Sequence, residues 1–376
     1  MRVVWCSWKA YDHPLAGGAE VVTDNILKRL VADGHEAILL TSRPAGSKAK
    51  EVKDGYTIMR AGSRYSVYSQ ARKTYKAHNL AEWADVVIDE INTIPFFAGS
   101  YSKKPTYLFV HQLAREVWFY QMMWPLSRIG YAIEPWYLRK LNHSKVITIS
   151  QSTKQDLVHT AGFKPENIAI ITQGCGAQPL ANLQDVVKYP QPTLLSFGAV
   201  RPMKRTDDIV TAFELAKAAK PDLRLIIAGD MHGNYGERVR KHVNNSKFAS
   251  DIEVLGRVSD EKREEIMRQS WALAAASVKE GWGLIVTEAN SQGTPVVGYD
   301  VDGLRDSIID GKTGIVASPP TPKSLSEGIT TMFTQSPDSY QQMRTAAWQE
   351  SKRYTFDACY ADFMQAIGAY LEQATH

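Results

Sequence analysis

Short apolar runs alternate with helical patterns through almost the whole chain, and the alternation is interrupted once. Val3–Trp5 leads into a Gly17-Gly18 turn, then into Glu20–Ala32 with apolar residues at helical spacing, a stop at Gly34 and a second run at Ala37–Leu40. Further runs follow at Val86–Ile88, Thr106–Val110, Val146–Ile149 and Ile168–Ile171. Strands alternating with helices build a parallel sheet covered by those helices. The rhythm stops at Ala177–Pro192, where Pro179, Pro190 and Pro192 stand without periodicity. It resumes with Thr193–Phe197, Leu223–Ala228, Ile252–Leu255, Ala272–Ala276 and Pro295–Gly298. The expectation is an α/β protein of two Rossmann-like doubly wound domains, residues 1–176 and 193–353, joined by a linker at 177–192. Ligands of such sheets bind at the carboxyl ends of strands, so two of them place the site in a central cleft.

The chain has 376 residues, too many for one ordinary core, and its 44% apolar and 22% charged residues fit a globular protein. No run approaches the roughly eighteen apolar residues of a membrane span. The start of the chain turns polar too soon for a signal peptide and reads as a buried strand. Cys6, Cys175 and Cys359 have no paired spacing, which points to a reducing cytoplasm rather than disulfides or zinc. Residues 1–180 carry 22 Lys and Arg against 15 Asp and Glu, net +7, and the remainder 22 against 25, net −3. A basic first half suits an anionic partner, a membrane surface or a phosphate-bearing acceptor; a solvated basic face is the plainer alternative.

The densest local signal is Glu280-Gly-Trp-Gly-Leu-Ile-Val-Thr-Glu288, followed by Gly293-Thr-Pro295. Gly281 and Gly283 let the backbone approach a ligand where a helix begins, and free N–H groups there favour an anion or hydroxyls. Carried along one helix, Glu280 and Glu288 stand about 12 Å apart and grip different parts of an extended ligand. A helix-start acid plus a surface acid is the alternative, and it leaves the glycines unexplained. Gly198-Ala-Val-Arg201-Pro-Met-Lys204-Arg205 follows the strand Thr193–Phe197 and precedes a helix expected over Asp207–Ala219. Its cations suit a diphosphate, each charge-assisted contact contributing roughly 1.5–3 kcal/mol; otherwise it is an exposed basic turn. Gly17-Gly18-Ala-Glu20 has the form of a phosphate-cradling turn but lacks the third glycine of the dinucleotide fingerprint. His111 follows the strand Thr106–Val110, hence sits at a sheet's carboxyl end. The other histidines form no H-E-x-x-H or similar group, and no metal site is expected.

Together these residues resemble the retaining glycosyltransferases of family 4, which have the GT-B fold, over nearly the whole chain. Gly17-Gly18 matches their glycine pair, His111 their histidine after a mid-domain strand, and Ile149–Leu157 with Gly162–Ile168 their region before the linker. Glu280 and Glu288 match their paired glutamates, and Gly293-Thr-Pro295 their Gly-Thr-Pro. The resemblance implies a nucleoside-diphosphate-sugar donor and a role for each residue. Glu280 and His111 would act at the donor sugar, Gly283 and Leu284 would bind its hydroxyls or diphosphate through their amides, and Glu288 would hold the ribose. Gly18 would lie against the phosphates, and Lys204 matches the phosphate-binding lysine. The family's arginine after the loop glycine is here Ala199, so Arg201 or Arg205 is expected to supply that charge. Its Asn-Gly after the last strand of the first domain is Gln173-Gly174. Residues 354–376, helical in pattern from Tyr354 to Leu371, would cross back onto the first domain.

Asp300-Val-Asp302 imitates a metal-binding D-x-D, but it occupies the place of the family's glycine-rich turn. Cations at Arg201–Arg205 can neutralise a leaving diphosphate without a metal, so no cofactor is expected. The acceptor is expected to be a glycan or a lipid-linked molecule. Arg115–Lys140 interleaves cations with Trp118, Trp124, Trp136 and other aromatics, and Arg60–His78 is basic with Tyr65, Tyr68 and Tyr75. This suits peripheral contact with an anionic membrane, but a helical excursion packed on the first domain, or an acceptor-pocket wall, is the favoured reading. Nucleic acid is not expected, for want of a reader motif. A nicotinamide-dependent oxidoreductase, a non-catalytic nucleotide-sugar binding protein, and a phosphorylase or epimerase on the same fold are the competing functions.

Overall fold

The computed structural model describes residues 1–375. Its contacts divide the chain into two units: Met1–Trp118 with Trp124–Gly174 and the segment from Thr355 onward, and Cys175–Tyr354 with Phe119–Met123. Two details differ from the expected boundaries. Phe119–Met123 groups with the second unit, where the Tyr120 hydroxyl accepts from Arg205 Nη2 at 3.4 Å, and the second unit begins at Cys175.

The first unit holds β1 (Arg2–Cys6), β2 (Glu36–Thr41), β3 (Lys50–Lys53), β4 (Tyr56–Arg60), β5 (Val86–Ile91), β6 (Thr106–Val110), β7 (Val146–Thr148) and β8 (Ile168–Ile170). They form one sheet in the order β3-β4-β2-β1-β5-β6-β7-β8, parallel except for the β3–β4 hairpin. That hairpin is absent from the sequence reading. Its turn is Asp54-Gly55, both at positive φ (48° and 89°), the conformation that joins twisted strands through two residues. The second unit holds β9 (Thr193–Phe197), β10 (Arg224–Ala228), β11 (Ile252–Gly256), β12 (Ala272–Ala275), β13 (Val296–Tyr299) and β14 (Gly314–Ala317). These pair in the order β11-β10-β9-β12-β13-β14, all parallel.

Central strands are apolar because helices cover both of their faces. Trp5 of β1 is fully buried, edge-on to Phe109 at 5.4 Å and 5.5 Å from Phe363 of the last helix, Phe356–Thr375. That helix is tied into the first unit: Arg29 Nε donates to Asp357 at 2.8 Å, and the Tyr370 hydroxyl donates to the Val146 carbonyl at 2.9 Å. In each sheet the strand order reverses at one place, between β1 and β5 and between β9 and β12, and a doubly wound sheet opens a crevice at such a switch point.

Candidate active site

The second switch point gathers the acidic and basic motifs. β9 and β12 are neighbours, Leu194 opposite Ala272 and Leu195 opposite Leu273, so the loops leaving their carboxyl ends converge. Val278 N donates to the Met203 carbonyl at 2.8 Å. This link sets Lys204 beside Glu280, and Lys204 Nζ is ion-paired to Glu280 Oε1, which also accepts from Ser277 Oγ at 2.6 Å. The sequence reading gave lysine and glutamate separate ends of a donor; here each is the other's partner. Their side chains stay 38% and 20% exposed, so the pair remains open to exchange.

The helix after this loop runs Leu284–Ser291, from a Gly283 cap at φ 85°, ψ 57°. Glu280 therefore lies in the loop and Glu288 in the second helical turn, which corrects the expectation of both on one helix: the left-handed cap breaks it. The first N–H groups of such a helix, starting with Leu284, have no acceptor inside it. Glu288 is half-buried, burial pushes its carboxyl up against the opposing field of Arg263, and among the described residues its carboxylate has no hydrogen-bond partner.

Two features brace Glu280. Its N–H donates to the Asp302 carbonyl at 3.0 Å, and Gly303 packs so closely that a Cβ there would lie 2.4 Å from the Glu280 carbonyl oxygen. Asp302 is paired with Lys279 and, at 2.9 Å, with Arg305, which also reaches Asp300 at 2.7 Å. The D-x-D carboxylates are thus engaged by cations. The two candidates to replace the absent arginine also separate. Arg205 is held by Tyr120, the Pro320 carbonyl at 3.5 Å and Asp208 at 3.9 Å. Arg201 is exposed, and among the described residues its guanidinium has no partner.

The first unit has its own cluster at the β1/β5 switch point. Gly17 caps the helix Gly18–Ala32 in extended backbone, and its N–H donates to Glu20 Oε2 at 2.6 Å. Glu20 is buried, 3.0 Å from Lys9 Nζ, and burial raises its carboxyl. A carboxylate therefore already serves the turn in which Gly18 was expected to meet phosphate. His111, just past β6, is 6% exposed. Its Nε2 lies 3.3 Å from Glu90 Oε1 but is not aligned for a hydrogen bond. Glu90, wholly buried, accepts from Trp5 Nε1 at 2.6 Å and Thr23 Oγ1 at 2.9 Å. The sequence reading missed Glu90 and Ser277. Its one available signal was a pair of acids, Asp89-Glu90, closing an apolar strand. Asp89 accepts from the Phe96 and Ala98 amides at 2.9 Å each, and burial lifts it to about 6.

Comparison with known proteins identifies the family. Residues 16–175 match the family model for Glycosyltransferase Family 4, and residues 184–350 that for Glycosyl transferases group 1. Sucrose-phosphate synthase from Thermosynechococcus elongatus has the same fold, with TM-score 0.77, 16% identity and 99% of each chain covered. HepE of Anabaena, solved with UDP-glucose, superposes with TM-score 0.69 and 15% identity over 98% of this chain and 100% of its own. Among curated relatives, glycogen synthase of Mycobacterium tuberculosis is 20% identical over 92% of this chain and 89% of its own. The fold is that of a GT-B glycosyltransferase. The chain belongs to glycosyltransferase family 4 and is an enzyme of that class, which sets aside the oxidoreductase and the non-catalytic binding protein.

Proposed function

We propose that this enzyme moves a hexosyl group from a nucleoside-diphosphate sugar to a hydroxyl of a glycan or lipid-linked acceptor, with retention at the anomeric carbon and without a metal ion. The Lys204–Glu280 pair carries the reading. Cleaving the anomeric bond builds negative charge on the diphosphate and positive charge on the sugar ring. An arriving diphosphate competes for Lys204, aided by Arg201 and the amides at Gly283 and Leu284, and the released Glu280 then accepts from sugar hydroxyls. Glu280, fixed by Ser277 and the Asp302 carbonyl, suits positioning and electrostatic stabilisation rather than covalent attack. Glu288, whose carboxylate has no hydrogen-bond partner among the described residues, suits the ribose hydroxyls, and the family resemblance gives His111 and Gly18 parts in donor binding. Retention rests on the family resemblance. Engagement of Asp300 and Asp302 by cations supports the metal-free reading. HepE with UDP-glucose supports a nucleotide-sugar donor, glycogen synthase a glycan acceptor. A lipid-linked acceptor would bring the enzyme to an anionic membrane.

The test is a thermal-shift screen against nucleoside diphosphates and their sugars, where a true donor raises Tm with saturation, followed by turnover of Glu280→Ala. Loss of Glu280 lowers kcat by ~10²–10³. A folded Glu280→Ala enzyme with full transfer rate overturns the assignment, and an inverted anomer in the product, read by NMR, overturns retention.

A further inference from the structure

The helix Leu126–Arg139 turns an apolar stripe outward. Leu126, Ile129, Ile133 and Trp136 follow helical spacing and are 53, 48, 44 and 59% exposed, with Trp124 just before them at 77%. The opposite face holds the helix in this orientation. Ser127, Glu134, Tyr137 and Leu138 are buried, and the Glu134 carboxylate accepts from the Ala114 and Arg115 amides at 2.7 Å each. Pro135 has no N–H for the Tyr131 carbonyl, which instead accepts from Arg115 Nη1 at 3.1 Å. The stripe cannot roll inward without breaking both Glu134 bonds and leaving the Ala114 and Arg115 amides unpaired, a costly exchange.

Cations border this face. Arg128, Arg139 and Lys140 are exposed, and Lys140 Nζ sits 3.6 Å from the centre of the Trp136 ring. Lys140 also lines a cavity of about 620 Å³ with Lys104 and His143. The helix's single acid is the buried Glu134. A second copy of the chain is a poor occupant, because two-fold pairing on this stripe would bring its bordering cations towards one another, with no exposed acid on the helix to meet them. Apolar side chains beside exposed cations, of which Arg139 Nη2 donates to the Thr160 carbonyl at 3.4 Å, instead match a surface that is apolar below and negatively charged above. Among the described residues no helix is long and apolar enough to cross a membrane, so the contact is a peripheral one.

We propose that the helix Leu126–Arg139 docks the first unit on an anionic phospholipid membrane, with Trp124, Ile129, Ile133 and Trp136 entering the headgroup–acyl boundary and Arg128, Arg139 and Lys140 on lipid phosphates. This deepens the lipid-linked branch of the acceptor reading, and vesicles carrying no acceptor test it apart from transfer. In flotation at low salt, the full chain binds vesicles of about 3:1 phosphatidylcholine to phosphatidylglycerol and not phosphatidylcholine alone. Ile129→Ser/Trp136→Ser and, separately, Arg128→Glu/Lys140→Glu lower that partition about 10-fold or more, with melting temperature and nucleotide binding unchanged. Three results overturn the proposal: no binding of the wild-type chain, unchanged binding of both folded double variants, or a dimer in sedimentation that Ile129→Ser/Trp136→Ser dissociates.

Discussion

Gly303 contacts no substrate in the proposed mechanism, yet its replacement by alanine should damage both stability and rate. Its backbone lies at φ 79°, ψ −42°, where an L-residue is strained, and left-handed conformations cost roughly 1–2 kcal/mol. The new Cβ would stand 2.4 Å from the Glu280 carbonyl oxygen and 2.7 Å from Glu280 Cβ. Overpacking of that kind costs about 1–3 kcal/mol more. The sum, about 2–5 kcal/mol, lowers the melting temperature of a unit this size by roughly 4–20 °C. Relief requires Glu280 to retreat by something approaching ~1 Å, a misplacement that can cost ~10²-fold in rate. Gly311→Ala is the control: its φ is also positive, at 70°, but a Cβ there meets nothing within 4 Å. Calorimetry and steady-state transfer on both variants separate backbone strain from the Glu280 contact. If Gly303→Ala melts with Gly311→Ala and keeps the wild-type kcat, the idea that Gly303 braces Glu280 is wrong.

Lys204→Met should weaken nucleoside-diphosphate binding by about 10- to 150-fold, the equivalent of one charge-assisted contact. Titration calorimetry reads this directly, and unchanged affinity would remove Lys204 from the diphosphate site. Glu288 makes a signed pH prediction. Its folded-state carboxyl is raised by burial, so the native protein holds the proton longer than the unfolded chain and stability falls as pH rises through that window. Glu288→Gln should therefore raise Tm relative to wild type at pH near 7.5 and lose the advantage below the ordinary glutamate range; a gain that grows towards acid contradicts it. The same variant should bind donor more weakly. Chelation of divalent ions should leave the transfer rate unchanged, and a rate abolished by EDTA and restored by a divalent ion would refute metal independence.

Where side chains are buried on both faces, the local pattern located the elements: Thr106–Val110 and Thr193–Phe197 coincide with β6 and β9. It failed for β3, β4 and β14. Lys50–Lys53 is a half-exposed edge strand without an apolar run, and Gly314–Ala317 is four residues long. The helix expected over Asp207–Ala219 is Thr206–Ala216, begun by the left-handed Arg205.

The order of apolar runs and loops thus specified two wound sheets, and the glycine-flanked glutamates marked the loop proposed to bind the donor, because burial and backbone freedom are properties of neighbouring residues. Partnership was decided only in three dimensions. Lys204 meets Glu280 across 76 positions because β9 and β12 pair. Glu90 and His111 meet because β5 and β6 do. Whether the stripe on Leu126–Arg139 faces core or solvent was equally closed to periodicity, which locates an apolar face but not what lies against it. The buried Glu134 bonds to the Ala114 and Arg115 amides turned that face outward.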